Sequence, residues 1–246
     1  MTIPGDWLSR ALARAGVLTT VEAERAIRDG RVRVDGRLVR QPLSLVPQGA
    51  LVTLDGSPVS LEAKVLALML HKPPDAVTSR SEPSGARTVF DVLLPQLPPD
   101  LRRYEWHACG RLDRDTTGLL VFTNDGRLVE HLTAPDRRLP KRYRAAVQGT
   151  ATPEKLQRLR DGVELNDGPA RAAEVLALAP SHLEVVVTEG RNRMVRRMLA
   201  AVGLPVTRLH RIGVGGLRVD IREGEWRRLD DGELREALGF PLVSGA

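Results

Sequence analysis

Apolar and polar residues alternate at helical spacing twice near the start of the chain, and at strand spacing soon after. The pattern predicts a helix through WLSRALARAG, capped by Asp6 and stopped at Gly16. Thr19 and Glu22 stand at capping-box spacing before a second helix, VEAERAIRDG, that ends near Gly30. RVRV, an Asp-Gly pair and RLV predict a hairpin, and ALVTL a further strand leading to Asp55-Gly56. Residues 57–64 read as a linker. The apolar run VLALMLHKP predicts a buried strand that stops at Pro73-Pro74. PDAVTSRSEPSGAR is a loop by composition, TVFDVLLPQL a short helix, and LPPDL a break. Strands follow at LLVFTN, KRYRAAVQG, AAEVLALA and HLEVVVTEG. Helices are predicted at PEKLQRLRDG, behind Thr152-Pro153, and at RNRMVRRMLAAVG. There is no regular strand–helix–strand alternation, so the pattern points to an α+β fold on a mixed sheet, not a doubly wound one.

Composition changes this picture little. The chain has 246 residues, 42 % hydrophobic and 28 % charged, the profile of a water-soluble protein with room for a small and a medium domain. No apolar run approaches a membrane span, and the N-terminus lacks a signal-peptide layout. A single cysteine, Cys109, rules out an internal disulfide and a cysteine-built metal cluster, and the five histidines are scattered. A cytoplasmic setting and no metal are expected.

Charge says more. The net charge is +6, and a polyanion is a natural partner for such a chain. Six arginines and no acid lie between Arg191 and Arg211, and Arg137, Arg138, Lys141, Arg142 and Arg144 form a second group. Only four basic residues are lysine; arginine favours bidentate phosphate contacts and stacking on bases.

The most informative segment is HACGRLDRDTTGLLVFTNDGRLVEHL at 107–132. It places Asp113 in a loop between Gly110 and Gly118, beside Arg111 and Arg114. By spacing alone such a carboxylate is ordinarily half of a surface ion pair. Asp113 and Asp115 as metal ligands would need further partners. In RNRMVRRMLAAVG, Met194, Val195, Met198, Leu199 and Val202 form one apolar face, with Arg193, Arg196 and Arg197 on others. Taken alone, that is a core helix with solvated arginines.

Two resemblances go further. WLSRALARAGV followed by AERAIRDGRVRVDGRLV resembles the RNA-binding module named after small-subunit ribosomal protein S-four, which presents two helices to structured RNA. The resemblance makes Arg10, Arg14, Arg25, Arg28 and Arg31 candidate RNA contacts. Between the helices, where that family usually has serine and basic residues, this chain has Leu18-Thr19-Thr20.

GRLDRDTTGLLVFTNDG closely resembles the signature of the RsuA/RluB family of ribosomal RNA pseudouridine synthases. The resemblance puts the catalytic aspartate at Asp113, and at Arg111 an arginine that holds RNA whose target base is flipped out. KRY at 141–143 matches the family's basic-x-Tyr strand, making Tyr143 the active-site tyrosine. EGRNRMVRRM at 189–198 matches the third motif and makes Arg196 the cation that pairs with the aspartate. Arg114, Lys141, Arg191 and Arg193 join the expected RNA contacts. The implied architecture is a small S-four-like α/β module over residues 1–60. A catalytic domain over 64–246 follows, built on a mixed, mostly antiparallel sheet flanked by helices. The implied activity is isomerisation of a uridine in ribosomal RNA. That reaction involves no redox change or net group transfer, so no cofactor is expected. With no sustained apolar stripe left over for a partner, the chain is expected to be a monomer. Arg193 stands where the small-subunit branch more often has histidine, which favours large-subunit rRNA. The competing expectation is a non-catalytic ribosome-assembly factor that binds rRNA and would have no use for a carboxylate facing phosphates.

Overall fold

The structure, a computed structural model, describes residues 7–47, 49–61 and 65–242. The chain opens with α1 (Leu8–Arg14) and α2 (Thr20–Arg28). The N-cap of α1 is Trp7, whose side chain makes no cap bond; the expected cap, Asp6, lies outside the described residues. The expected capping box of α2 is present, with Thr19 and Glu22 bonded reciprocally. Next come β1 (Val32–Val34), β2 (Arg37–Leu38), β3 (Val52–Leu54) and β4 (Ser57–Val59), an antiparallel sheet in the order β2-β1-β3-β4. Asp35-Gly36 and Asp55-Gly56 all have positive φ, as two-residue hairpin turns demand. The second turn corrects an expectation. It folds Ser57–Val59 back onto β3, so the first part of the supposed linker is a strand. Leu8, Leu12, Ala23, Ile27, Val32 and Val52 close this unit's own core.

The rest of the chain is built on a second sheet. Its elements run β5 (Ala67–Lys72), α3 (Val89–Leu93), α4 (Pro99–Arg102), β6 (His107–Ala108), β7 (Thr116–Thr123) and α5 (Gly126–Thr133). They continue with β8 (Lys141–Val147), α6 (Pro153–Asp161), β9 (Val163–Leu165), β10 (Gly168–Ala170), β11 (Glu174–Ala179) and β12 (His182–Val187). The last are α7 (Met194–Ala201), β13 (Val206–Val214), β14 (Leu217–Arg218) and β15 (Trp226–Leu229). The strand order is β11-β12-β8-β13-β7-β5-β15, with β14 added to β13 and β6 to β7. Only β13 and β7 pair in parallel, so the mixed, mostly antiparallel expectation holds. Two local readings change. LPPDL does not simply break the chain; Pro99 sits in the first turn of α4, where its missing N–H is harmless. Asn124-Asp125-Gly126, a turn by composition, also starts a helix: the Asp125 side chain accepts from the Arg127 N–H and caps α5.

Strand β7 is buried at every position but the half-buried Thr117, because both faces of the sheet are covered. Leu120 and Phe122 face one core with Leu68, Leu70, Tyr143, Val185 and Met198. Leu119 and Val121 face another with Met69, Leu128, Leu234 and Phe240. This rigid strand sets the position of the loop before it.

Candidate active site

The loop from Cys109 to Asp115 enters β7, and it is tied down mainly through its backbone. The Cys109 N–H donates to the Val121 carbonyl at 2.8 Å. The Thr78 hydroxyl accepts from the Leu112 N–H at 3.1 Å and donates to the Leu112 carbonyl at 2.8 Å. Beneath the loop lies Lys72, fully buried. Its Nζ donates to the carbonyls of Pro73, Arg114 and Thr116 at 3.0, 3.2 and 2.8 Å, so all three donors of the ammonium are used. Burial pushes the Lys72 ammonium down to about 8, against the pull of the Asp115, Asp113 and Asp75 carboxylates. Gly118 matters for a steric reason: a Cβ there would sit 2.2 Å from the Arg211 carbonyl oxygen. Glycine alone lets β13 close on β7 beside the loop.

Asp113 emerges from this scaffold with its side chain 27 % exposed. It stands where two clefts meet. One, of about 430 Å³, has Tyr143, Lys141 and Arg211 on its floor and the 188–195 segment as a wall. The other, of about 520 Å³, is lined by Thr78, Ser79, Glu82 and Arg114. Arg111, Leu112, Asp113, Asn192 and Arg193 border both. The structure therefore gathers Arg111, Asp113, Lys141, Tyr143, Arg191 and Arg193 around one opening, with Arg114 on its far rim.

The cations do not pair as expected. Arg196 is not the direct partner of Asp113. Its Nη2 reaches the Asp115 carboxylate at 3.2 Å, the Asp115 carbonyl at 3.1 Å and the Thr116 hydroxyl at 3.3 Å. The cation that pairs with Asp113 is Arg193, 3.8 Å from its Oδ2, which also clasps both oxygens of Asp115 at 3.1 Å. The reason is where the helix starts. Arg193 precedes α7 with φ +45°, outside its first turn, while Arg196 lies within the helix. Burial lowers the Arg196 guanidinium from its usual range. Burial opposes ionisation of Asp115 too, but the hydrogen bond from Arg193 and the charges of Arg196 and Arg193 together hold its carboxyl below the usual value. Burial drives the Cys109 thiol well up, only partly offset by Arg211, so Cys109 is a packing residue and not a nucleophile.

Arg191 lines the cleft but is committed elsewhere. It pairs with Asp167 and Glu189 and donates to the carbonyls of Asp167, Gly168 and Pro169, stapling the β9–β10 hairpin. The candidates of the N-terminal unit line neither cleft. Arg10 lies over the Trp7 ring at 4.5 Å. Arg25 and Arg28 pair with Asp29 and Glu24 at 3.8 and 2.8 Å, and Arg31 with Asp55. Arg14 is half-buried; its carbonyl accepts from Asn124 at 3.3 Å and its charge acts on Asp125. Sequence reading missed Lys72, Thr78, Asn192 and Arg211. For Lys72 and Arg211 a signal existed: each follows buried leucines at strand alternation, Leu68-x-Leu70-x-Lys72 and Leu209-x-Arg211, so each had to point inward. Among the described residues no helix is long and apolar enough to cross a membrane.

Comparison with known proteins converges on this region. Residues 67–201 match the family described as RNA pseudouridylate synthase, and residues 6–52 match the S4 domain. The ribosomal large subunit pseudouridine synthase B of Vibrio cholerae is 39 % identical over 233 residues, covering 91 % of this chain and 71 % of its own. Its namesake in Yersinia pestis is 38 % identical, covering 92 % and 73 %. An uncharacterized RNA pseudouridine synthase of Mycobacterium tuberculosis is 38 % identical over 96 % of this chain and 95 % of its own. A crystal structure of pseudouridylate synthase superposes with a TM-score of 0.66 at 28 % identity, over 94 % of this chain and 99 % of that one.

Proposed function

The chain belongs to the RNA pseudouridylate synthase family, with an S4 domain ahead of the synthase region, and on that premise we propose that it isomerises one specific uridine of large-subunit ribosomal RNA, with Asp113 as the essential carboxylate. The observation that carries the proposal is the position of Asp113. The Asp113 carboxylate stands where both clefts meet, in a loop held from behind by backbone bonds, and is faced by Arg193 at 3.8 Å. Support for the substrate comes from relatives named for the large ribosomal subunit at 37–39 % identity.

The chemistry fits these groups. The target uridine must leave its stack, at a cost of a few kcal/mol that phosphate contacts offset. Arg111 and Arg193, on the border of both clefts, hold the strand on either side of the opening. The uracil enters over Tyr143, which is 8 % exposed and forms part of the floor. Asp113 then attacks the sugar at C1′ or removes its C2′ proton; both routes need an ionised carboxylate at the rim of a dry pocket. Arg196 acts at one remove, fixing Asp115 and through it the loop that carries Asp113. The unit over residues 1–60 supplies RNA affinity through Arg10, Arg25, Arg28 and Arg31, and residues 64–246 form the catalytic domain. The two have separate hydrophobic cores.

The test is a single-nucleotide pseudouridine map of ribosomal RNA from cells with and without the gene. Loss of one pseudouridine in large-subunit rRNA is expected. A loss confined to the small subunit would overturn the substrate, and an unchanged map would leave only an RNA-binding assembly role.

A further inference from the structure

Strands β8 and β13 lie side by side under the cleft, and in their register Tyr143 stands opposite Arg211. Lys141 is two residues before Tyr143 on β8 and so faces the same way. Arg211 is only 4 % exposed; its Nε donates to the Leu119 carbonyl at 2.8 Å. Lys141 is half-buried and donates to the Leu139 carbonyl at 3.1 Å. Both line the cleft that holds Tyr143 and Asp113.

No acid answers these two charges. Asp113 and Asp115 are engaged by Arg193 and Arg196, and Glu189 by Arg191. Among the described residues neither Lys141 nor Arg211 has an ion-pair partner. Burial, and then the neighbouring charge of Arg211, lowers the Lys141 ammonium. Two recessed like charges without a counter-charge are unfavourable in a resting protein. Such an arrangement marks a place where negative charge arrives.

We propose that Lys141 and Arg211, both neighbours of Tyr143 on the cleft floor, hold the uracil after it detaches from the sugar as an anion. The inference rests on the uridine isomerisation proposed above and is the same for either role of Asp113. When the C1′–N1 bond breaks, its electron pair stays on the base, spread over N1, O2 and O4. The ring turns to bring C5 to C1′, the C5–C1′ bond forms, and the proton lost from C5 is balanced by one gained at N1. Negative charge therefore exists on the ring only between the two bonds. Cations that meet it there favour the transition state over bound uridine, and so raise the rate instead of the affinity. RNA phosphates do not suit this pair. They carry their charge in every bound state and keep to the wetter rim, where Arg111, Arg114 and Arg193 stand.

The experiment uses the full chain, ribosomal RNA from cells lacking the gene, single-turnover isomerisation at saturating enzyme, and RNA affinity measured separately. Lys141→Met is expected to slow isomerisation about 10²-fold with affinity within about twofold of wild type. Lys141→Arg restores most of the rate, and Arg211→Lys, which keeps the buried charge, loses less than Lys141→Met. Lys141→Gln serves as a second neutral variant should the methionine disturb the fold. A neutral variant with the wild-type rate overturns the inference. So does one that loses affinity and salt dependence while its saturated rate is unchanged, since that assigns the pair to phosphate. In both of these results wild type still isomerises and the synthase reading stands; a wild-type protein that isomerises no uridine overturns both.

Discussion

The arginines of the N-terminal unit and those around Asp113 are the same residue used in two physical regimes. Arg25, Arg28 and Arg31 are exposed, and each meets one nearby acid: Asp29, Glu24 and Asp55. Such pairs contribute about 0–1 kcal/mol and are readily exchanged for phosphate. Arg196 is 10 % exposed, and its Nη2 reaches a carboxylate, a carbonyl and a hydroxyl of Asp115 and Thr116, where the loop enters β7. The first set is built to let go of its partners, the second to keep them. On the proposed function, binding falls to the first set and support of the chemistry to the second, a division that a charge count does not reveal.

The sharpest way to break that division is Asp113→Asn. Isomerisation is expected to fall by about 10⁴-fold or more, while RNA affinity stays within about twofold. Release of the C5 hydrogen under single turnover reads the first and filter binding the second. Residual activity near wild type would remove Asp113 from the chemistry. Next in size is Arg196→Ala, which leaves Asp115 with Arg193 alone. Asp115 is half exposed, so the loss of stability should be about 2 kcal/mol, below the 3–5 of a fully buried pair. Urea unfolding measures it, and the isomerisation rate should fall as the loop loosens. An unchanged midpoint and rate would show that Lys72 and Thr78 suffice to hold the loop.

Lys72 gives a smaller, pH-dependent effect. Its folded value, about 8, lies below the ordinary lysine value of 10.5, so between those limits the unfolded chain binds more protons. This group's contribution to stability therefore rises with pH across that window and is level below it. Replacing Lys72 by Met should remove that rise, so the wild-type-minus-variant difference in stability should grow with pH over 8–10.5; parallel stability curves, a constant difference, would refute the assignment. The smallest expected effect is at Arg28. Arg28→Ala should shift stability by less than about 0.5 kcal/mol and leave the saturated rate intact. RNA affinity should weaken with a salt slope shallower by about 0.7–0.9. A fall in the saturated rate would mean the two regimes are not separate.

What could be read from sequence was whatever local chemistry decides. The Thr19–Glu22 box and the Asp35-Gly36 hairpin depend on a few consecutive residues, and they form as expected. The same local reasoning failed where one residue has two uses. Asp125 before a glycine suggests a turn but caps α5, and the stretch after Asp55-Gly56 has a linker's composition, yet Ser57–Val59 form β4. The site was legible in the residues it gathers, because they sit in contiguous motifs. The pairing of Arg196 with Asp115 was not, since it depends on where α7 starts relative to a loop 80 residues earlier. Lys72 escaped for a similar reason: its partners are carbonyls, which every sequence has.

That last property has a use. Lys72 grips the main chain of the loop, so what it enforces does not depend on the side chains the loop displays. Arg111 and Arg114 could then be randomised together, as in a library seeking new target sites, with the Asp113 carboxylate still delivered to the same point. If the proposed roles hold, the address and the tool are written in one stretch of chain and can still be edited apart.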